Sequence, residues 1–212
     1  MIRVLLFSLL LALILVSSGC AVGNTHDYGS VHVDLVAYGN ASVAVGAIDD
    51  RPYVIAGTKD PTFVGLQRGG YGNPFDIHTA DKRPLAEEFS HAIAAALAER
   101  NFKTTPVTFA TGEAEESAIQ KLRASGAGRL ILVRIDEWKS DTYQNTALHY
   151  EVSARVYDAQ GKALGQKAIQ GRDDLKGSFM NPPGHAKKAV PQAFKEKIEE
   201  LMNDPAVSGA LR

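Results

Sequence analysis

Leu148-His149-Tyr150-Glu151-Val152-Ser153-Ala154-Arg155-Val156-Tyr157-Asp158 alternates apolar and polar residues over most of its length. Successive side chains of a strand point to opposite faces, so this period of two describes a strand with one face buried and one face wet. Asp158-Ala159-Gln160-Gly161 follows as a turn, and residues 162–171 return as a second, weaker strand. A sheet whose strands keep one polar face needs cover on the other face only, which points to an α+β arrangement with helices on one side.

The flanking segments supply the helices. Upstream, residues 129–138 contain Leu130-Ile131-Leu132-Val133, a continuous apolar run suited to a central strand. Between Pro84 and Arg100, Leu85, Phe89, Ala92, Ile93, Ala96 and Leu97 form one stripe at helical spacing, with proline and Glu87-Glu88 in the first turn. Residues 113–124 repeat the pattern more weakly and stop at Ser125-Gly126. A last helix lies within residues 184–203, with Pro191 kinking it or starting its regular part. Earlier strands are expected at Val43–Ile48, stopped by Asp49-Asp50-Arg51-Pro52, and at residues 103–109. The order strand, helix, strand, helix, three strands, helix gives a two-layer sandwich of a mixed sheet with helices on one face.

Residues 53–83 separate the first strand from its helix and carry a dense glycine core, Gly65-Leu66-Gln67-Arg68-Gly69-Gly70-Tyr71-Gly72-Asn73-Pro74. A phosphate-cradling loop would need Gly-Lys-Ser/Thr leading directly from a strand into a helix, and neither is present. The stretch reads as a surface loop with room for a short strand or hairpin, and with Arg68 and Tyr71 as candidate anchors for a partner.

The N-terminus addresses the compartment. Arg3 supplies a positive charge, residues 4–16 are apolar apart from Ser8, and Ser17-Ser18-Gly19-Cys20 follows as a small-residue cleavage site. An apolar run of about 13 residues falls short of the roughly 20 required of a spanning helix. Residues 1–19 are therefore expected to be an export signal, and Cys20, the sole cysteine, the lipid-bearing first residue of the mature chain. A diacylglyceryl group and an amide-linked acyl chain together exceed the two-signal threshold for stable anchoring. Residues 20–30 read as the acylated terminus and a polar tether, and 31–212 as one domain outside the cytoplasm.

Composition narrows the function. The formal net charge is -1 with mixed signs along the chain, which gives no nucleic-acid footprint. The six histidines fall at 26, 32, 78, 91, 149 and 185 without metal-ligand spacing, and His26 and His32 are expected in solvent near the tether. Asp49 and Asp50 point to opposite faces, so a local Asp–Arg pair at the strand end is expected in place of an ion site. Asp173 and Asp174 are expected in a loop, and Trp138 and Tyr143 between two strands. There is no Gly-x-Ser-x-Gly elbow. No catalytic residue, metal ligand or cofactor is assigned. The wet strand face adds His149, Glu151 and Arg155 to the candidate partner-binding residues.

The signal with its cysteine, Val43-Ala44-Val45 leading to Asp49-Asp50-Arg51-Pro52, and the Gly65 to Gly72 loop resemble the YajG-type lipoproteins of Gram-negative bacteria. The Leu85 to Leu97 helix and Leu201-Met202-Asn203-Asp204-Pro205 extend the similarity over most of the mature chain. One departure is Ser17, where such signals usually carry leucine. The resemblance implies attachment to the outer membrane, which Ala21 after the cysteine also suggests, and a layout similar to the βαβαββ modules of envelope lipoproteins and of the N-terminal part of TolB. It lends no catalytic residues. The expected function is that of a non-enzymatic protein-binding or envelope-assembly module, held by its lipid to the periplasmic face of the outer membrane and facing an envelope protein partner. A lipid or lipopolysaccharide carrier, with an apolar groove lined by Phe89, Leu97 and Phe194, is the alternative, and a hydrolase with a dispersed site the third.

Overall fold

The computed structural model describes residues 24–212. The proposed signal and Cys20 lie outside the described residues. Among the described residues eight strands form one mixed sheet: β1 (Thr25–His26), β2 (Ser42–Asp49), β3 (Phe63–Arg68), β4 (Pro74–Thr79), β5 (Lys103–Val107), β6 (Arg129–Thr142), β7 (Asn145–Asp158) and β8 (Ala163–Gly177). The helices are α1 (Pro52–Ile55), α2 (Leu85–Glu99), α3 (Glu115–Ala124), α4 (Pro182–Met202) and α5 (Pro205–Ala210).

β6, β7 and β8 make a long antiparallel meander, with β7 paired to β6 from Arg129↔Asp158 to Thr142↔Thr146. The other edge of β6 is divided. Its first half pairs in parallel with β2 (Val43↔Arg129 to Asp49↔Ile135), and its last residues pair in parallel with β3 (Gly65↔Ser140 to Gln67↔Thr142). β5 extends the first branch; β4 and β1 extend the second. The glycine-rich segment is thus a β3–β4 hairpin, turning at residues 69–73 where Gly72 takes φ +81°, a conformation that costs glycine little.

The mixed α+β sheet with packed helices is the architecture expected from the alternation in β7. Leu148, Tyr150, Val152, Ala154 and Val156 enter the main core, together with the buried faces of α2 and α4 and with Val207 of α5. Its centre is aromatic: Phe89, Trp138, Phe194 and Tyr28 lie with ring centroids 4.5–6.3 Å apart, and Trp138 Nε1 donates to Tyr28 Oη across 2.9 Å. Coverage of the sheet is unequal rather than single. α3 sits on the opposite face, where Ala118 and Leu122 pack with Ala44, Ile48, Leu130, Leu132 and Tyr157. Handedness accounts for it: β2 to β5 moves outward, β5 to β6 moves back across β2, and right-handed crossovers in opposite directions lie on opposite faces.

Several local expectations change. Residues 24–30 are no free tether: β1 pairs in parallel with β4, and both His26 and Tyr28 are buried. Residues 31–37 continue as an extended segment whose Val33, Leu35 and Ala37 point into the core. Its backbone is satisfied by side chains of α4 and of the residue that caps it instead of a neighbouring strand: Asp34 N donates to Glu199 Oε1 at 2.7 Å, Val36 N to Asn203 Oδ1 at 2.8 Å. Trp138 lies inside β6, not between strands, with Tyr143 in the turn after it. Asp173 and Asp174 belong to β8, which runs six residues beyond Gly171, and Lys197 on α4 pairs with Asp173.

Candidate functional site

The divided edge of β6 creates a fork, and Arg51 fills it. β2 ends when Asp50 N donates to Ile135 O at 2.9 Å. Pro52 then opens α1 and turns the chain away. Arg51 Nε and Nη2 each lie 2.7 Å from the two carboxylate oxygens of Asp49. Nη1 donates to Phe63 O at 2.5 Å and Nη2 to Pro61 O at 3.1 Å. Both side chains are buried. Burial opposes the guanidinium charge, but the Asp49 hydrogen bonds and charge override it and hold the arginine ionised. The expected local Asp–Arg pair is present, and its work is to satisfy carbonyls where two strands part.

A second fork stands further along the same strand. Arg68, at the end of β3, reaches Asp141 of β6 through Nε at 2.8 Å and Nη2 at 2.6 Å, and this pair is partly exposed. Asp141 also lines a shallow recess of about 480 Å³ with Tyr143, Asn145, His149, Arg172 and Asp174. His149 faces Lys139 on β6 and Arg172 on β8 in register. One rung on, Glu151 pairs with Gln170, and both line a neighbouring recess of about 400 Å³ with Asp136 and Ser153. These side chains form the open face of the meander. It stays open until α3, where Arg155 meets Glu115 and its Nε donates to Gln166 Oε1 at 3.0 Å. Burial works against the Glu115 carboxylate, but the Tyr157 hydroxyl, Arg155 and Arg134 outweigh it and keep it below its ordinary value. Burial, with the Glu115 hydrogen bond, pushes the Tyr157 phenol up to about 12.

The structure therefore joins His149 to the Arg68–Asp141 fork around one recess, puts Glu151 next to it, and separates Arg155, which locks α3 to the sheet. Tyr71 stands free at the hairpin tip. Arg172 belongs with the group and escaped sequence reading because β8 alternates too weakly to reveal its wet face. His26 was misplaced: it is buried, with Nε2 3.2 Å from Ser140 Oγ and, among the described residues, no partner for Nδ1. Burial, with a smaller contribution from Lys187, lowers its pKa to about 4. His32 is exposed as expected. Phe89, Leu97 and Phe194 do not line a groove; they are fully buried in the core, and the space between sheet and helices is filled there. Among the described residues there is no group of three or more His, Cys, Asp and Glu side chains placed to hold a metal.

Fold and site together define a single-sheet α+β domain with one face of the sheet meander uncovered and polar. No family model and no curated protein sequence matches the chain. Among solved structures, protein XCC0632 from Xanthomonas campestris, of the DUF330 family model, superposes with a TM-score of 0.54 at 11% identity, over 88% of this chain and 97% of that one. The two share the fold. Hypothetical protein CT253 from Chlamydia trachomatis gives 0.45 at 16% identity, over 82% and 98%. Lipoprotein GNA1162 from Neisseria meningitidis gives 0.28 at 18% identity, over 74% and 99%.

Proposed function

We propose that the chain is an outer-membrane lipoprotein of the YajG type, anchored through Cys20, whose folded body is a non-enzymatic module for binding or assembling an envelope protein. The observation that carries the binding role is the uncovered face of β6–β8. His149, Glu151, Gln170 and Arg172 stand in adjacent rungs around two shallow recesses, while the opposite face of the same strands is sealed by α4 and α5. A rigid sheet holding mixed charges in a fixed array suits a partner with complementary charge, and its rim favours specificity and encounter rate over raw affinity. The anchor is supported by the signal-like first 19 residues and the cysteine that follows. Among the described residues no helix is long and apolar enough to cross a membrane.

Photo-crosslinking amino acids at Glu151 and at Gln170 in intact cells test the role. An envelope protein crosslinked from both positions, and not from exposed Glu116 on α3, is the expected result. No adduct from either open-face position would remove it. The anchor is tested apart from this: mass spectrometry of the mature chain should show an acylated Cys20 terminus, and Cys20→Ser should leave a full-length, unmodified precursor.

A further inference from the structure

Three loops meet where β6 turns into β7. Tyr143 occupies that turn, and its hydroxyl donates to Gly70 O of the β3–β4 turn across 3.3 Å. Asn145 pairs with Gly177, the last residue of β8, so the loop 178–181 into α4 leaves from the same place. These loops are unusually apolar for a free surface. Tyr71 is 103% exposed, Phe179 89%, Met180 87% and Tyr143 46%, and beside them Phe75, at the start of β4, is 41% exposed. Single exposed apolar residues are ordinary on any protein, but a cluster of large ones marks a contact. These five are the majority of the nine large exposed apolar side chains among the described residues.

The path of the N-terminus says what the cluster faces. β1 runs parallel to β4, with Thr25 beside His78 and His26 beside Thr79. β4 begins at Pro74, which pairs with Arg68 next to the exposed turn. The direction of β1, taken backwards at Thr25, therefore points to the end that bears the three loops. Cys20 precedes Thr25 by five residues, a reach of at most about 18 Å, while the strand from His78 back to Pro74 covers roughly 13 Å. A lipid on Cys20 can lie level with the loops; the far end of the sheet, at Arg129, lies about 30 Å from the level of Thr25 and is beyond it. Charge agrees. At this end Asp141 and Asp76 are paired with Arg68 and Lys59, whereas Lys187 and Lys188 make no ion pair among the described residues.

We propose that this end of the domain rests on the bilayer, with Tyr71, Phe179 and Met180 entering the headgroup boundary beside the acylated terminus, and Lys187 and Lys188 facing anionic headgroups. This rests on the lipoprotein reading and adds an orientation to it. Aromatic side chains settle at the membrane–water boundary, and basic residues beside an anchor draw it toward anionic lipid. The strands then stand off the membrane, and the open face of the meander looks sideways, free for a protein partner.

The acylated full chain provides the test, because Cys20 is its sole cysteine and the lipid blocks that thiol. Phe179→Cys, Tyr71→Cys and, at the other end of β8, Leu164→Cys are each labelled with an environment-sensitive dye and reconstituted in phosphatidylethanolamine–phosphatidylglycerol vesicles. Dye at 179 and 71 should shift to the blue and lose intensity to nitroxide-bearing lipids, with dye at 164 unchanged. Water-like emission at 71 and 179 in vesicle-bound protein overturns the orientation. Shielding that rises with protein concentration before vesicles are added assigns the cluster to a second copy of the chain and overturns it equally. The intact mass of the same samples reports acylation separately, so a chain without lipid counts against the anchor and wet labels on a lipid-bearing chain count against the orientation alone.

Discussion

Arg51 and Arg68 hold aspartates with nearly identical two-pronged geometry along one edge of β6, yet they stand in opposite surroundings. The first pair is buried in the fork between β2 and β3 and has backbone carbonyls as its other partners. The second lies at the hairpin tip with both side chains partly exposed. Burial changes what the same ion pair means. In the fork, removing one partner strands a charge and two carbonyls in a medium that cannot solvate them. At the tip, water replaces whatever is lost. One pair specifies the branching of the sheet, and the other is free to shape a surface.

The sharpest way to break this contrast is Arg51→Leu. It leaves Asp49 buried without a counter-ion and should destabilise the domain by about 3–5 kcal/mol, read as a lowered urea midpoint at pH 7. Replacing both residues, Asp49→Leu with Arg51→Leu, should recover part of the loss, because no charge is then left unpaired. If Arg51→Leu unfolds with the wild-type midpoint, the fork does not depend on the pair.

Acid probes burial through a group that titrates. His26 anchors β1, and its folded pKa of about 4 lies below the unfolded value near 6.5. The unfolded chain therefore binds the extra proton first, and stability falls as pH drops from 6.5 to 4. The loss through this residue is on the order of 3 kcal/mol. His26→Leu should flatten that part of the stability–pH curve, measured by urea unfolding at half-unit steps. A slope that persists unchanged in the variant would place its origin elsewhere.

What the sequence revealed and what it hid follow the same line between covered and open regions. The β7 alternation, the α2 stripe and the three-strand run from β6 to β8 were legible because one dominant face imposes one period on the residues. The β3–β4 hairpin was barely legible, since its glycines carry no periodicity and its register is set by contact with β6. His26 and Tyr28 were misjudged because the polar stretch around them was taken as a sign of exposure, whereas each is buried against residues far away in sequence, Ser140 and Trp138; the Asp49–Arg51 pair was foreseen, but not its burial against the Phe63 carbonyl. The candidate site was half legible: His149 and Glu151 follow from the alternation, but nothing local says that Arg68, Asp141 and Arg172 would join them. The position of α3 followed from crossover handedness, a rule about connections that no window of sequence contains.

A smaller effect refines the contrast from the opposite sign of charge. Glu88 on α2 is buried, and that burial, with the Asp81 carboxylate beside it, pushes its pKa up to about 8 in spite of Arg83. The folded state then binds a proton more tightly than the unfolded chain, so this residue's contribution weakens as pH rises from about 4.5 to 8. Glu88→Gln keeps the shape without the charge and should raise stability at pH 8 by on the order of 1 kcal/mol, with little change at pH 5. Chemical denaturation at both values decides it, and an equal change at the two would mean that the carboxyl stays ionised throughout.

Arg68→Ala should be the mildest of these changes to stability, about 0–1 kcal/mol, and its size is the point. Tyr143 still reaches Gly70 and β3 still pairs with β6 through Gly65, Leu66 and Gln67, so the hairpin stays attached when the fork is cut. What it loses is a fixed position relative to His149 and the recess. Amide exchange at residues 69–73 should speed up while exchange in β6 and β7 stays as it was. If Arg68→Ala instead lowers the urea midpoint as far as Arg51→Leu does, then exposure is not what separates the two forks, and the hairpin is a structural part of the sheet rather than a surface mounted on it.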